Sequence, residues 1–276
     1  MKMKMYISVD MEGITGLPDA SFVDWRKHNY ERARKIMTDE ANYVIQAAFD
    51  EGAEEVLVND SHSKMNNLLI DEIHPDALLI TGEVKPFSMM QGLNDSYSGV
   101  FFVGYHARAG QRGVMSHSMI HAIRNFYLND HCIGEMGMNA YLAGYFGVPV
   151  LFVAGDDQAA AEAEKLIPHV TTAVVKETIS RSSVKSLTPK KAGLLLKEKV
   201  KLALDNRKLV SPLIPPENPE LTIEFNNSGQ AEWANLMPGT LWIPGTTKVR
   251  FQAKDMKEAY QAMLVMTELA MQTTFS

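Results

Sequence analysis

The sequence predicts an α/β protein in which a mainly parallel sheet carries helices on both faces, with a smaller C-terminal α+β unit packed on it. Two observations support this prediction. Short apolar runs alternate with helical patterns through the first two-thirds of the 276 residues, and strands that alternate with helices form crossover units in a parallel sheet. A cluster of prolines then precedes a different pattern, and we interpret it as a linker: Pro212, Pro215, Pro216 and Pro219.

The predicted strands of the main domain are short apolar runs bounded by glycine or polar residues. Residues 6–9 form the first of them. Apolar residues then recur at spacings of three and four between residues 30 and 48, which indicates one face of a helix that Gly52 ends. Further strands are predicted at residues 56–58, 77–80, 100–103 and 148–153. A helix is predicted from about Gly134, before the last of these strands.

The C-terminal part has a different organisation. Strands are predicted at residues 221–225 and 248–253, with a loop around Trp233 between them. We therefore predict two units, a metal-binding α/β domain over residues 1–211 and a smaller α+β unit over residues 212–276. The metal is inferred below from the polar residues of the first unit.

Two helices have clear start signals. Thr188 followed by Pro189 is typical of a helix N-terminus, because proline at the first helical position loses no hydrogen bond. Asp255 followed three residues later by Glu258 resembles a capping box, and it predicts the start of the final helix.

Composition and charge exclude several classes of protein. The net charge of −6 gives no electrostatic basis for binding nucleic acid or an anionic membrane. The single cysteine, Cys132, excludes an intrachain disulfide and a thiolate-rich zinc site. The apolar stretch near the N-terminus breaks at Asp10, too early for a signal-peptide core. No apolar run approaches the roughly 20 residues of a membrane span, so we expect a cytoplasmic protein.

Four acids and histidines follow directly on three predicted strands. Asp10 and Glu12 follow the first strand, His62 follows the second, and His106 follows the strand at residues 100–103. Because ligands of an open α/β sheet bind outside the carboxyl ends of its strands, we expect these side chains to converge at one edge. Two carboxylates and two imidazoles suit zinc better than calcium or magnesium. A carboxylate can bridge two metals, and Glu135 is the best-placed further acid.

Each of these residues alone has an ordinary explanation. Asp10 and Glu12 are typical of a helix cap or a loop, and His62 and His106 of a loop or a sheet edge. Glu135 near a helix N-terminus is explained by the helix dipole. Taken together, however, four such residues directly follow three predicted strands. This arrangement favours a metal site.

Other polar residues leave alternatives open. His117 lies between two serines and is either a catalytic or supporting imidazole or an ordinary loop residue. Asp60 either orients His62 or caps a turn. Asp156 and Asp157 precede a helical pattern, and capping explains both of them.

At these positions the chain resembles a known family, the D-aminopeptidases of the DppA type. The resemblance spans nearly the whole chain and rests on separated segments that match in order: Ser8–Gly13, Val58–Asn67, Gly104–Ala107, Met115–Ser118, Gly134–Glu135, Gly229–Ala234 and Phe251–Asp255.

The resemblance implies a binuclear zinc site with five ligands, Asp10, Glu12, His62, His106 and Glu135. It implies that Asp10 bridges the two ions and that His117 is the catalytic residue, described in the family as a nucleophile. It also implies that N-terminal D-amino acids are released from short peptides, with D-alanine favoured. The implied assembly is a homodecamer of stacked pentameric rings around a central channel.

The mechanism we expect is attack of a metal-activated hydroxide on the peptide carbonyl. His117 would stabilise the oxyanion or move a proton to the leaving amine, which makes a covalent role unnecessary. Another metallohydrolase, such as an amidase or phosphoesterase, fits the same residues. A metal-binding or solute-binding protein without turnover is the remaining alternative, since the glycine-rich motifs of nucleotide-binding proteins are absent from the sequence.

Overall fold

A computed structural model describes residues 2–273 of the chain. Its larger sheet has seven strands. In spatial order they are β3 (Leu78–Ile80), β2 (Glu55–Asp60), β1 (Lys4–Val9), β4 (Gly99–Tyr105), β7 (Val150–Asp156), β8 (Thr171–Ser180) and β9 (Ser183–Ser186). All neighbouring strands pair in parallel except β8 and β9, which are antiparallel. This confirms the mainly parallel sheet predicted from the alternating pattern.

The helices are, in chain order, α1 (Ala20–Val23), α2 (Tyr30–Asp50), α3 (Glu135–Tyr145), α4 (Asp157–Leu166), α5 (Pro189–Asp205), α6 (Ser228–Ala234) and α7 (Met256–Ala270), with short 3-10 helices at Ser88–Met90 and Arg207–Leu209. Helices α1 to α4 lie in the connections between the strands of the larger sheet, and α5 to α7 follow the last of these strands. The crossover through α2 leads from β1 toward one edge, and those through α3 and α4 lead toward the other. Because parallel crossovers are right-handed, α2 lies on one face and α3 and α4 on the opposite face. Helix α5 packs beside α2.

A second, antiparallel sheet combines strands from two parts of the chain. Its order is β11 (Thr240–Trp242), β12 (Lys248–Gln252), β10 (Glu220–Phe225), β5 (Ile123–Leu128) and β6 (His131–Ile133). Thus β5 and β6, which belong to the connection between β4 and α3, pair with the C-terminal strands. The division into units at residues 1–211 and 212–276 stays a prediction. The second sheet contains strands from both predicted units.

Local signals predict the starts of α5 and α7 correctly. Helix α5 begins at Pro189, directly after Thr188. Asp255 caps α7 by accepting a hydrogen bond from the Glu258 amide at 2.8 Å. The Glu258 carboxylate accepts in turn from the amide of Lys254, one residue before the cap.

Several elements differ from the sequence prediction, among them the short strand β11 and the short helix α1, which were not predicted. Trp233 lies in α6 and not in a loop, because Asn227 and Gln230 form a capping box that starts a short helix there. Strands β5 and β6 were not predicted, since exposed and buried residues mix along them and no clear apolar run marks them. Strands β8 and β9 were not predicted either, because polar residues interrupt the apolar stretch of β8.

The topology determines where a site can form. Strands β4 and β7 are buried along their whole length, as expected for central strands covered on both faces. Strands β1 and β4 are neighbours, and the connections that follow them run toward opposite edges of the sheet. Such a switch point leaves a crevice at the carboxyl ends of the strands. Within residues 2–273, no helix combines the length and the apolar character needed to cross a membrane.

Candidate metal centre

The predicted site residues converge in this crevice between β1 and β4. Asp10, His62 and His106 each follow the carboxyl end of a strand, β1, β2 and β4 respectively. Glu12 lies two residues beyond Asp10, and Glu135 is the first residue of α3. All five side chains are buried. The structure therefore brings together every residue that the sequence predicts as a ligand.

A close backbone contact holds the segment after β1 against β4. The amide of Asp10 donates to the Val103 carbonyl at 2.8 Å, and the amide of Gly13 donates to the Gly104 carbonyl at 2.7 Å. A Cβ atom at Gly13 would overlap the Tyr105 carbonyl oxygen and lie 2.5 Å from the Gly104 carbonyl carbon. Glycine is therefore required at position 13. This backbone contact fixes the positions of Asp10 and Glu12 relative to His106.

The Asp10 carboxylate lies between two imidazoles. Its Oδ1 is 3.3 Å from His62 Nδ1, and its Oδ2 is 3.5 Å from His106 Nε2. Oδ1 also accepts a hydrogen bond from the Met11 amide at 2.8 Å. The two oxygens therefore face opposite halves of the cluster, one containing His62 and the other containing His106.

Glu12 supplies a buried oxygen without a hydrogen-bond partner. Its Oε2 is 3.0 Å from His62 Nδ1. It accepts no hydrogen bond of suitable geometry from residues 2–273, because the His62 N–H points toward Asp10. A buried carboxylate oxygen in this state is costly unless a cation binds it. This observation fits a metal ligand.

The loop that carries His62 is fixed by Asp60. Its Oδ2 accepts hydrogen bonds from the amides of Asn67 and Leu68 at 2.5 and 2.6 Å, and its Oδ1 accepts from Asn67 Nδ2 at 2.7 Å. Asn67 Nδ2 also donates to the His62 carbonyl at 2.7 Å. Of the two roles proposed for Asp60, the structure favours the turn: this carboxylate organises the backbone around His62.

His106, Glu135 and His117 form the other half of the cluster. His106 Nε2 lies 3.4 Å from Glu135 Oε1, and His117 Nε2 lies 3.7 Å from the same oxygen. The two imidazole rings are stacked, with centroids 4.3 Å apart and an angle of 8° between the planes. Glu135 Oε1 also accepts a hydrogen bond from the Met119 amide at 2.6 Å. This contact ties the loop that carries His117 to α3.

Each of the three histidines donates a hydrogen bond from one ring nitrogen to a backbone carbonyl. His62 Nε2 donates to Val23 at 2.8 Å, His106 Nδ1 to Ala107 at 2.9 Å, and His117 Nδ1 to Met115 at 2.9 Å. These bonds fix the ring orientations and direct the remaining nitrogens toward the carboxylates. Ligand histidines in metal sites are oriented in this way.

The pKa values within the cluster follow from burial and from these contacts. Burial, and then the charge of Glu12, raise the pKa of Asp10 to about 7. Burial opposes charge on His62 and His106, but the facing carboxylates outweigh it and hold both pKa values well above 6.5. The cluster therefore retains protons on these rings when no cation is bound, and a metal ion would replace them.

His117 behaves differently from its neighbours. Burial, and then the positive charge of His106, lower the pKa of His117 below 6.5. Its imidazole is therefore neutral at neutral pH, and because Nδ1 donates to the Met115 carbonyl, Nε2 is the unprotonated nitrogen that can accept a proton.

Two overlapping donor sets could each hold a metal ion. One contains Asp10, Glu12 and His106, and the other contains His106, His117 and Glu135; within each set the donor atoms lie within 4.8 Å of one another. Imidazole nitrogens together with carboxylate oxygens are the donors that zinc accepts in catalytic sites. The orphaned oxygen of Glu12 and this donor chemistry show that the residues fit zinc.

Supporting residues were missed by the sequence prediction. Lys176 of β8 and Glu40 of α2 are buried and bind the backbone of the segment that follows β1. A lysine inside the run Ala173-Val174-Val175-Lys176 was a usable signal, because a charged residue in an apolar strand needs a partner. Asp156 caps α4 as predicted, and its other oxygen accepts a hydrogen bond from the Val114 amide at 3.1 Å.

A buried cluster of carboxylates and imidazoles at the switch point of an α/β sheet defines the class of protein: an α/β enzyme with a candidate metal-binding centre. Comparison with known proteins narrows this class. The model of the D-aminopeptidase family, peptidase family M55, matches residues 3–265. This chain belongs to the D-aminopeptidase family.

Two relatives show how close the similarity is. The D-aminopeptidase of Bacillus subtilis (strain 168) is 67% identical over 273 residues, covering 99% of this chain and 100% of that protein. A solved structure, described as the Zn-dependent D-aminopeptidase DppA from Bacillus subtilis, a self-compartmentalizing protease, superposes with a TM-score of 0.99 at 67% identity. It covers 99% of this chain and 100% of the solved chain. The fold class and enzyme class predicted from the sequence are confirmed.

Proposed function

We propose that this chain is a binuclear zinc aminopeptidase that releases N-terminal D-amino acids from short peptides. The observation that carries the proposal is the position of Asp10, whose two oxygens face His62 on one side and His106 on the other. A carboxylate placed in this way is suited to bridge two ions. The zinc dependence and D-aminopeptidase activity named for the relatives support the same conclusion.

The proposed ligands divide between the two halves of the cluster. Glu12 and His62 would hold one ion and His106 and Glu135 the other, with Asp10 between them. His117 belongs to one of the two donor sets, but its Nε2 is assigned to proton transfer and not to a metal ion. Zinc bound there would supply Lewis acidity, which activates water and polarises a peptide carbonyl.

The protein's own residues supply the proton chemistry. His117 Nδ1 is engaged by the Met115 carbonyl, so Nε2 is the atom that faces the cluster and exchanges a proton. We assign His117 as the catalytic residue: its unprotonated Nε2 would accept the proton that the attacking water releases, and the protonated ring would then stabilise the oxyanion or pass that proton to the leaving amine. A covalent role is unnecessary, because activated water is a sufficient nucleophile.

The substrate is proposed from the chemistry of the site and from the relatives. A free N-terminal amine could bind a metal ion or a carboxylate of the centre, which would account for action at the N-terminus of a peptide. A preference for D-alanine and for short peptides belongs to the proposal. The chain is also proposed to act in the cytoplasm, as a homodecamer of stacked pentameric rings. The word self-compartmentalizing, used for the solved relative, supports an assembly of this kind.

A combined metal and substrate assay tests the function. Purified protein is analysed for zinc, and hydrolysis of D-Ala-D-Ala is compared with that of L-Ala-L-Ala and of a phosphoester. We expect two zinc ions per chain and turnover of the D,D-peptide alone. Phosphoester hydrolysis would favour the alternative metallohydrolase, and stoichiometric zinc without any hydrolysis would favour a metal-binding protein.

A further inference from the structure

Lys176 is a buried ammonium group for which the proposed reaction has no direct use. It lies on β8 and is only 1% exposed. Its Nζ donates to the backbone carbonyls of Glu12, Ile14 and Leu17 at 2.5, 2.9 and 2.7 Å. All three carbonyls belong to residues 10–17, the segment that follows β1 and carries two proposed ligands. We call this segment the β1 loop.

The contacts of Lys176 use its full hydrogen-bonding capacity. An ammonium group has three N–H donors, and here each is directed at a different carbonyl of the same loop. Burying a charge is strongly unfavourable unless such bonds compensate for it. An uncharged side chain of similar length, such as methionine, would fill the same space without this cost, so packing alone does not account for a lysine here.

Two further contacts hold the same loop from neighbouring elements. The amide of Thr15 donates to Glu40 Oε1 of α2 at 3.0 Å. The amide of Gly16 donates to Ser186 Oγ of β9 at 2.8 Å. Lys176 thus binds carbonyls, while Glu40 and Ser186 bind amides. The loop is held through its backbone, which leaves the side chains of its first residues free to face the histidines.

We propose that Lys176 is a positioning residue of the metal centre: its ammonium holds the β1 loop so that Asp10 and Glu12 present their carboxylates to the metal ions in a fixed arrangement. The inference rests on the proposed function, since it requires the centre to bind zinc. Without the ammonium group, three buried carbonyls lose their donor and the loop relaxes. The ligand arrangement then changes although every ligand is still present.

The test compares Lys176→Met with a matched control, Val175→Ala, at the preceding buried position of the same strand. Zinc affinity is measured by competition with a chromophoric chelator, and thermal unfolding of the metal-free protein is measured in parallel. We expect Lys176→Met to raise the zinc dissociation constant by at least about tenfold, which is the usual effect of removing support from a ligand. Val175→Ala is expected to lower the unfolding temperature and leave the dissociation constant unchanged.

A spectroscopic measurement separates positioning from simple destabilisation. The absorption bands of bound Co²⁺ depend on the arrangement of its ligands. We expect altered bands in Lys176→Met and wild-type bands in Val175→Ala. If Lys176→Met does not fold, Lys176→Gln keeps a hydrogen-bond donor in the same space and is expected to show a smaller change in the same direction.

The outcomes distinguish this inference from the proposed function. Wild-type zinc affinity together with wild-type Co²⁺ bands in either Lys176 variant would overturn the positioning role alone. Failure of the wild-type protein to bind zinc would overturn the proposed function and this inference with it.

Discussion

Asp10 is the residue that joins the two halves of the candidate centre. Its oxygens face His62 and His106, and its own pKa is raised to about 7 by burial and by the neighbouring charge of Glu12. A single carboxylate with two imidazole neighbours and one carboxylate neighbour is poorly stabilised by protein groups alone. At the scale of residues, the cluster is therefore arranged for a cation.

Replacement of His117 tests its catalytic role. Because its Nε2 faces the cluster and its pKa is below 6.5, His117→Ala should lower kcat by roughly 10²–10⁴-fold, the range for loss of a general acid or base. We expect zinc content to remain close to wild type, as measured by atomic absorption. His131→Ala, an exposed histidine on β6, is the control and should retain activity. Unchanged turnover in His117→Ala would remove the catalytic assignment.

Glu40 gives a pH-dependent contribution to stability. Burial raises its pKa from 4.5 to about 7. The folded chain therefore favours the protonated form, and the stability that Glu40 contributes is greatest below pH 4.5 and is lost as the pH rises through about 7. The isosteric variant Glu40→Gln lacks this dependence. The free energy of unfolding of wild type relative to Glu40→Gln should fall by up to about 3 kcal/mol between pH 4.5 and pH 8.

Denaturant unfolding of both metal-free proteins at pH 4.5 and pH 8 measures this difference. Removal of zinc from both samples keeps the metal ligands from contributing unequally. A difference that is the same at the two pH values would contradict the raised pKa of Glu40.

At the scale of elements, the β1 loop and the end of β4 form one unit. Their backbones are in direct contact at Gly13 and Gly104, and the φ angle of Gly104 is +72°, which favours glycine. The sequence shows glycines near both strand ends, but only the structure shows that they touch each other. The ligand loops are therefore fixed by backbone contacts as well as by side chains.

Substitution of Gly13 tests this contact. A Cβ atom at Gly13 meets backbone atoms of Gly104 and Tyr105, which cannot move aside as a side chain can. Gly13→Ala should therefore displace the β1 loop and weaken zinc binding by at least tenfold, about 1.4 kcal/mol. Gly16→Ala is the matched control, because a Cβ atom there meets nothing within 4 Å. It should lower stability through its positive φ while zinc affinity stays near wild type; equal affinities in the two variants would argue against the contact.

At the scale of the whole molecule, the proposed metal ions couple function to stability. The buried carboxylates and imidazoles come from the ends of three strands and the start of α3, so ions that bind them connect distant parts of the chain. A ligand that binds only the folded state stabilises it by mass action.

Metal removal tests this coupling. At free zinc about 100-fold above the dissociation constant, each bound ion should stabilise the folded protein by about 2.7 kcal/mol relative to the chelator-treated protein, which is about 5.4 kcal/mol for the two proposed ions. Differential scanning calorimetry measures the difference, and re-addition of zinc should restore it. Magnesium at the same concentration is the control, because the nitrogen ligands of this site do not suit it. Equal unfolding temperatures with and without zinc would contradict a zinc site that joins these elements.

The parallel sheet and the set of candidate ligands can be predicted from the amino-acid sequence alone. Alternating apolar runs indicate crossover units, and the carboxyl ends of parallel strands must share one edge, so Asp10, His62 and His106 could be placed together in advance. Local signals also predict the starts of α5 and α7: proline at the first helical position of α5, and the Asp255 cap of α7. Each of these features depends on neighbours in the chain or on a general rule of topology.

Contacts between residues that lie far apart in the sequence are seen only in the folded chain. The pairing of β5 with β10 joins residues about a hundred positions apart, and Lys176 reaches Glu12 across a separation of 164 positions. Neither contact produces a periodic pattern in the sequence. The partner of a buried lysine, or of a strand with mixed polarity, is known only once the rest of the chain is packed against it. A buried polar group must form its hydrogen bonds with the groups that the complete fold brings next to it. Those neighbours depend on the whole chain and not on the local sequence.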